Sequence, residues 1–130
     1  MNNKKALVFK KLDSIMYSVK DLHEGIKFFE QFGLKSDQIK EDVGWCNLHM
    51  KNNDLCIDLS TKIEVGNFGE PYYLVGNVRD FYKACLDAGI KVIKEPFEVM
   101  CGDCVIIEGP SSIKLAVLDL TKQNPQKTRF

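Results

Sequence analysis

Two cysteines at CxxC spacing, Cys101 and Cys104, are the first residues of this 130-residue chain whose pattern suggests chemistry. Such a pair serves redox catalysis when it opens a helix after a strand, and it binds zinc when a second pair supplies two more sulfurs. Here the β-branched residues 105–107 follow, which predicts a strand, and Cys46 and Cys56 are not spaced as a second pair. The pattern therefore favours two small residues at a strand entry over a redox or zinc site.

Histidine supplies the other common ligand and base, and the chain has two. His23 falls at the start of a predicted helix, just after its cap, which favours a solvated first-turn residue. His49 lies in a predicted strand four residues past Trp45, which favours a residue on the sheet surface or rim.

Composition limits the partners and the location of the protein. Five cysteines, an odd number, without a secretion signal indicate reduced thiols. The apolar run at residues 6–9 stops at Lys10 and Lys11, and no stretch approaches the roughly 18 apolar residues of a membrane span. Eighteen basic and eighteen acidic residues balance to zero. We therefore expect a cytoplasmic protein with no nucleic-acid and no membrane partner.

The secondary-structure elements that would position a site occur as a sequence repeat, with the two copies 56 positions apart. In each copy a strand with alternating apolar residues ends in Val, at Val19 and at Val75. An N-cap residue follows two positions later, Asp21 and Asn77, before an amphipathic helix. Each helix closes at a glycine in the pattern Gly, apolar, Lys. The agreement of caps and stops indicates a structural repeat, and equivalent positions should line one shared cavity.

Each copy predicts the order β-α-β-β-β. Module 1 covers about 12–60, a linker about 61–69, module 2 about 70–120, and a loose tail 121–130; turns at 52–54 and 109–112 join strands. One module cannot close its sheet, whereas two side by side can. We therefore expect a single α+β domain in which two βαβββ modules form a curved mixed sheet, as half-barrels, around a concave cleft, with the helices on the convex face.

The sequence resembles the vicinal oxygen chelate superfamily, which includes glyoxalase I, bleomycin resistance proteins, fosfomycin resistance enzymes and extradiol dioxygenases. The resemblance rests on residues 12–22 (LDSIMYSVKDL), on residues 70–78 (EPYYLVGNV) and on a closing hairpin at residues 109–116 (GPSSIKLA). The hairpin looks like the family's Asp-Pro-x-Gly turn, with Gly109 replacing Asp and Ser112 replacing Gly. The matches span about residues 12–120 and imply a fold more than an activity.

The resemblance also implies where a metal would bind. Metal-dependent members place one ligand, usually His or Glu, on each of the first, fourth, fifth and eighth strands. The matching positions are Ser14, Asp58, Glu70 and Ala116, so both family histidines are missing. A catalytic site normally needs about three protein ligands. We therefore expect no metal cofactor; if a divalent ion does bind, Asp58 and Glu70 are its core.

Strand alternation predicts the residues that face the cleft. In the third strand these are Trp45, Asn47 and His49, opposite Cys46, Leu48 and Met50. The candidate ligand-binding residues combine aromatic, thioether and carboxylate side chains: Met16, Trp45, Asn47, Asp58, Glu70 and Tyr72. This lining suits a flat, partly apolar ligand, aromatic and possibly cationic. Alternatively, Trp45 and Tyr72 fill a small barrel while the carboxylates pair with Lys114.

We therefore expect a metal-independent small-molecule-binding protein that resembles the bleomycin-resistance type, which sequesters a drug without chemistry and often works as a homodimer. No residue is assigned as catalytic, and we expect a binding protein more than an enzyme. The alternative is a glyoxalase I-like or thiol-transferase-like metalloenzyme with a reduced ligand set, or an acid–base pair of Asp58 and Glu70. A third hypothesis is an interaction protein that uses the sheet edge and has a filled cleft.

Overall fold

The computed structural model describes residues 4–51 and 54–122. The first repeat comprises β1 (Lys11–Ser18), α1 (Leu22–Glu30), β2 (Lys35–Lys40), β3 (Trp45–His49) and β4 (Cys56–Ser60). The second comprises β5 (Glu70–Leu74), α2 (Val78–Asp87), β6 (Lys91–Val99), β7 (Gly102–Glu108) and β8 (Lys114–Leu118). Short 3₁₀ turns lie at Lys4–Leu7, Glu41–Val43 and Pro110–Ser112.

Both helices begin and end as the sequence predicts. The Asp21 side chain accepts a hydrogen bond from Glu24 N at 3.0 Å, and the Asn77 side chain accepts one from Asp80 N at 3.0 Å. Each bond satisfies one of the free N–H groups at a helix start. Past each helix, Gly33 (φ 89°) and Gly89 (φ 74°) adopt the left-handed conformation that stops a helix and that favours glycine.

The described chain divides into two compact units. The first unit contains residues 13–71, and its strands have the order β2-β3-β4-β1, with β1 parallel to β4 and β3 antiparallel to both neighbours. Helix α1 covers one face of this sheet. Leu22 and Ile26 of α1 pack there against side chains from β3 and β4, namely Cys46, Leu48, Ile57 and Leu59.

The second unit contains residues 72–122 together with residues 4–12. Its strands repeat the pattern of the first unit, with the order β5-β8-β7-β6 and with β5 parallel to β8. Val78, Phe81 and Cys85 of α2 pack on the sheet. The N-terminal segment completes this core, because the ring of Phe9 stacks on that of Tyr73 with centroids 4.7 Å apart.

The predicted α+β class with two βαβββ modules is confirmed. Four local features differ from the prediction. The sequence pattern predicts the second strand near residues 39–43 and the sixth at 91–94, whereas β2 occupies residues 35–40 and β6 extends to Val99 through two register shifts. Helical spacing in α2 predicts a buried stripe of Val78, Tyr82 and Cys85; in the structure Phe81 is buried instead of Tyr82, which is half-buried. The N-terminal 3₁₀ turn had no sequence signal.

Some predictions stay predictions. The turn expected at 52–54 rests on residues 52 and 53, and most of the predicted tail is residues 123–130; both lie outside the described residues. The single domain with module boundaries near 12–60 and 70–120 also stays a prediction.

Candidate functional site

One face of the first unit's sheet, the face that points away from α1, is lined largely by polar side chains. Side chains alternate along the strands that α1 covers. Cys46, Leu48, Ile57 and Leu59 therefore point toward the helix, and the residues between them point away. Strand pairing arranges the second set into three rows across β3, β4 and β1. The rows are Trp45–Ser60–Ser18, Asn47–Asp58–Met16 and His49–Cys56–Ser14.

The middle row, Asn47, Asp58 and Met16, is here called the central row. All three residues are buried, with exposed fractions of 0%, 6% and 6%. Asn47 Oδ1 accepts a hydrogen bond from the backbone N of Gln38 on the edge strand β2, at 2.9 Å. Asn47 Nδ2 has no hydrogen-bond partner among the described residues. A buried amide donor in this state requires an explanation, since such groups are rarely left unsatisfied.

The negative charge of Asp58 affects the Cys46 thiol, which lies on the opposite face of the sheet. Burial, and next the charge of Asp58, raise the pKa of the Cys46 thiol from 9.0 to about 11, against a smaller lowering by a hydrogen bond with the Leu59 backbone. Cys46 therefore stays a neutral thiol at physiological pH and is not an activated nucleophile.

The predicted linker is bound to one end of the polar face. Ser18 Oγ donates to Ile63 O and accepts from Val65 N, both at 2.7 Å. Ser60 Oγ accepts from Lys62 N at 3.1 Å and from Ile63 N at 3.0 Å. These four bonds tie residues 61–65, here called the crossing segment, over the row that also holds Trp45. Sequence reasoning assigned this segment no role.

The structure brings together three of the six predicted ligand-binding residues in one row: Met16, Asn47 and Asp58. Trp45 lies one row away on the same face and is half-buried, with Lys40 Nζ 6.0 Å from its ring centroid. Glu70 is half-buried at the start of β5. Tyr72 belongs to the second unit, where it packs with Leu74, Cys104 and Leu118.

Two rows on the corresponding face of the second unit are apolar or aromatic, whereas the row beyond them holds Glu108 and Lys114. Strand register places Ile106, Ala116 and Tyr72 in one row, the counterpart of the central row. The hydrophobic side chains that pack together on this face are Tyr72, Leu74, Phe97, Val99, Cys101, Cys104, Leu118 and Leu120. Lys114, the alternative partner for the carboxylates, is exposed. The two units thus share their strand order, but the central row of the first unit is polar and its counterpart in the second unit is not.

The implied metal positions do not supply a full ligand set. Ser14 and Ala116 occupy the first- and eighth-strand positions, and neither side chain is a usual ligand. Among the described residues, no group of three His, Cys, Asp or Glu side chains is placed to hold a metal ion. The residues present thus do not fit the metal site that the sequence resemblance implied.

The remaining candidates for chemistry lie outside the central row, and only His49 is in a neighbouring row of the same face. Cys104 is inside β7 and Cys101 precedes that strand at a turn, as the sequence indicated. His23 is exposed and pairs with Glu41 across the surface. His49 is half-buried at the end of β3, opposite Cys56.

Nothing in the sequence indicated the role of Asp119, whose carboxylate is fully buried in the second unit. Its Oδ2 accepts from Val78 N at the start of α2 at 2.7 Å, and its Oδ1 accepts from Asp103 N at 2.8 Å. Thr121 donates two more hydrogen bonds to Oδ1. With four donors around it, Asp119 is structural, and no local motif in the sequence distinguishes it from an ordinary strand end.

Two surface grooves are separate from the central row. One, of about 560 Å³ in the second unit, lies between the N-terminal segment and the start of α2 and is lined by Lys5, Lys10 and Asn77 among others. The other, of about 600 Å³ in the first unit, lies along α1 beside Tyr17, Phe28 and Phe29. Neither groove includes Asn47 or Asp58. No helix among the described residues has the length and apolar character to cross a membrane.

The fold matches solved structures at low sequence identity. Methylmalonyl-CoA epimerase from Mycobacterium tuberculosis is 13% identical with a TM-score of 0.65, over 95% of this chain and 97% of that one. A variant of the Streptomyces coelicolor methylmalonyl-CoA epimerase, in complex with 2-nitronate-propionyl-CoA, is 15% identical with a TM-score of 0.64, over 91% and 100%. An NAD-dependent benzaldehyde dehydrogenase from Legionella pneumophila is 18% identical with a TM-score of 0.63, over 82% and 97%.

No protein-family model and no curated protein sequence matches the chain. Methylmalonyl-CoA epimerase has the vicinal oxygen chelate fold, so the fold that the sequence resemblance implied is confirmed. Proteins with different names share this fold, and the likeness therefore establishes architecture alone.

Proposed function

We propose that this protein binds a small organic molecule at the central row of its first unit, without requiring a divalent metal ion. The observation that carries the proposal is the fully buried amide of Asn47, whose Nδ2 has no hydrogen-bond partner among the described residues. A buried unsatisfied donor costs on the order of 1–3 kcal/mol. A row that served packing alone would be apolar, as its counterpart Ile106–Ala116–Tyr72 is.

Independence from metal has a direct test. Metal analysis of the purified protein and thermal denaturation with Ni²⁺, Mn²⁺, Zn²⁺ or Fe²⁺ should show no bound ion and no increase in Tm, because the ligand positions include Ser14 and Ala116. A saturable increase in Tm with one of these ions would overturn metal independence. Loss of that increase in Asp58→Asn would then place the ion at Asp58.

The ligand class proposed from sequence is a sequestered aromatic drug, possibly cationic, of the bleomycin type. The chain has one tryptophan, so its fluorescence reports on Trp45 specifically. Titration with bleomycin should quench that fluorescence and saturate. Asn47→Leu, which keeps the size and removes the amide, should weaken the quenching. An unchanged signal at high bleomycin concentration would exclude this drug class as the ligand.

A second candidate is acid–base catalysis on a CoA thioester by Asp58, with Glu70 as the second group. It is favoured by the fold shared with methylmalonyl-CoA epimerase and by the burial of the Asp58 carboxylate. Methylmalonyl-CoA incubated with the protein in D₂O would then gain deuterium at the carbon next to the thioester, and Asp58→Asn would abolish the gain. Exchange that appears only with a divalent ion would favour the metalloenzyme alternative instead.

The expected homodimer belongs to the same proposal. Native mass spectrometry of protein purified without added ligand measures the subunit number, any bound metal and any retained small molecule in one spectrum. A dimer with one organic ligand per subunit is the expected result. A ligand-free, metal-free protein that no candidate molecule stabilises would favour the interaction-protein hypothesis.

A further inference from the structure

The central row places one hydrogen-bond donor beside one acceptor. Asn47 and Asp58 are directly opposite each other on β3 and β4, and their side chains point to the same face. Residues paired in this way have Cβ atoms about 5 Å apart. We propose that the ligand presents a neutral amide edge, such as a carboxamide, lactam or cyclic imide, to these two side chains. This inference rests on the proposed function and names the chemical class recognised at that site.

The donor half of the pair has a fixed orientation. Asn47 Oδ1 accepts the backbone N–H of Gln38 at 2.9 Å, so the amide cannot turn over without losing this bond. Its NH₂ group is therefore not turned toward Gln38 N, and Asp58 is the residue paired with Asn47 on the other neighbouring strand. Because Nδ2 is buried and has no partner among the described residues, it is available to a carbonyl oxygen.

The acceptor half is the carboxylate of Asp58, which is 6% exposed. An ionised carboxylate has about four acceptor positions, so it can receive an N–H from a ligand in addition to other contacts. The carbonyl oxygen and N–H of an amide lie side by side, in the same order as Asn47 and Asp58. Met16 in the same row and Trp45 in the next offer apolar and aromatic surface for a ring attached to the amide.

Other ligand charges match the pair less well. A carboxylate would receive the Asn47 donor but would face the negative charge of Asp58. An amidinium would pair with Asp58 but would direct its second NH₂ group at the NH₂ of Asn47. A neutral amide satisfies both side chains, which narrows the ligand expected from the sequence to an uncharged hydrogen-bonding group.

Four probes share one aromatic ring and differ in their polar group: benzamide, N,N-dimethylbenzamide, benzoate and benzamidine. Their relative affinities test whether a neutral amide is preferred. Binding is followed by ¹H–¹⁵N correlation spectra of the wild-type protein, with the Asn47 side-chain NH₂ signals as the local readout. Benzamide should shift these signals with a Kd on the order of 1 mM, as expected for a ligand of this size. The other three probes should bind at least about tenfold more weakly, because each lacks one hydrogen bond or opposes one group.

Asn47→Asp converts the donor into an acceptor and retains an oxygen for Gln38 N. The variant should lose benzamide binding by about tenfold and should bind benzamidine better than benzamide, since two acceptors now face two donors. Asn67→Asp, which adds the same charge at an exposed position of the first unit, is the matched control and should keep the wild-type order. If Asn47→Asp does not fold, the comparison of benzamide with N,N-dimethylbenzamide on the wild-type protein still tests the amide assignment.

Equal binding of benzamide and N,N-dimethylbenzamide by the wild type, or no benzamide shift at the Asn47 signals, would overturn the amide assignment and would be consistent with a buried water at Nδ2. A different result would refute the proposed function: no organic molecule is retained in native mass spectra, and none binds near Trp45. A retained ligand without an amide edge would therefore refute this inference and leave the proposed function standing.

Discussion

Two buried polar side chains of similar size have opposite hydrogen-bonding states. Asp119 in the second unit accepts four hydrogen bonds from the chain around it. Asn47 in the first unit uses its oxygen and leaves its Nδ2 without a partner among the described residues. A saturated group stabilises the fold, whereas a half-satisfied group has capacity for a ligand. The number of satisfied groups thus separates a structural residue from a candidate binding residue.

Replacement of Asp119 by alanine should destabilise the protein by about 3 kcal/mol, because Val78 N and Asp103 N would be left buried without an acceptor. Urea unfolding followed by circular dichroism measures the change. Asp87→Ala, which removes an exposed carboxylate at the end of α2, is the control and should change stability by less than about 0.5 kcal/mol. Equal effects of the two substitutions would contradict the structural role of Asp119.

The raised pKa of Cys46 predicts a loss of stability at alkaline pH. Its pKa is about 11 in the folded protein and 9.0 for an ordinary thiol, so above pH 9 the unfolded chain releases a proton that the folded chain retains. The contribution is complete below pH 9 and is lost as the pH rises toward 11. The free energy of unfolding should therefore fall more steeply over this range in the wild type than in Cys46→Ala. Parallel pH profiles would show that the thiol is not responsible.

The helices and the crossing segment differ in how far sequence determines them. Caps and stops act within one helical turn, so Asp21, Asn77, Gly33 and Gly89 were predictable from neighbours three positions away. The anchoring of residues 61–65 depends on Ser18, 45 positions from Ile63 in the chain. Such a contact exists only once β1 and β4 are paired, so local pattern cannot reveal it. The Asp119 cap on α2, across 41 positions, is hidden for the same reason.

Removal of one serine hydroxyl should loosen the crossing segment. Ser18→Ala deletes the bonds to Ile63 O and Val65 N, each of 2.7 Å, which together contribute about 1–2 kcal/mol. Hydrogen exchange of peptides covering residues 61–69 should then be about tenfold faster, while exchange in α2 is unchanged. Ser36→Ala in β2 is the control and should leave residues 61–69 at the wild-type rate. No acceleration in Ser18→Ala would show that other contacts hold the segment.

For the whole molecule, strand alternation in the sequence predicted the faces of both units, and register then assembled Met16, Asn47 and Asp58 into one row. The sequence could not show that Asn47 Nδ2 lacks a partner, because that depends on β2 reaching Asn47 Oδ1. Nor did it show that β6 would extend to Val99, since edge strands with register shifts lack clean alternation. Pattern therefore determines which face a residue occupies, and tertiary pairing determines which polar groups remain for a ligand.

The difference in polarity between the two units can be tested by moving one carboxylate. Ala116 is the counterpart of Asp58, and it is 4% exposed between Ile106 and Tyr72 in an apolar row. Ala116→Asp should destabilise the protein by about 3 kcal/mol or more at pH 7, since the new charge has no designed partner. Ala116→Asn adds nearly the same volume without a charge and should cost less.

The pH dependence of that variant provides its internal check. Burial raises the pKa of a carboxyl above its ordinary value near 3.9, so the group in Ala116→Asp is protonated in the folded protein at a pH where the unfolded chain is still ionised. The stability gap between Ala116→Asp and Ala116→Asn should therefore narrow as the pH falls from 7 toward 4 and widen as it rises. Urea unfolding at each pH measures the gap. A gap that is small and independent of pH would mean that the second unit tolerates a charge in this row, and the polar face of the first unit would then carry no functional distinction.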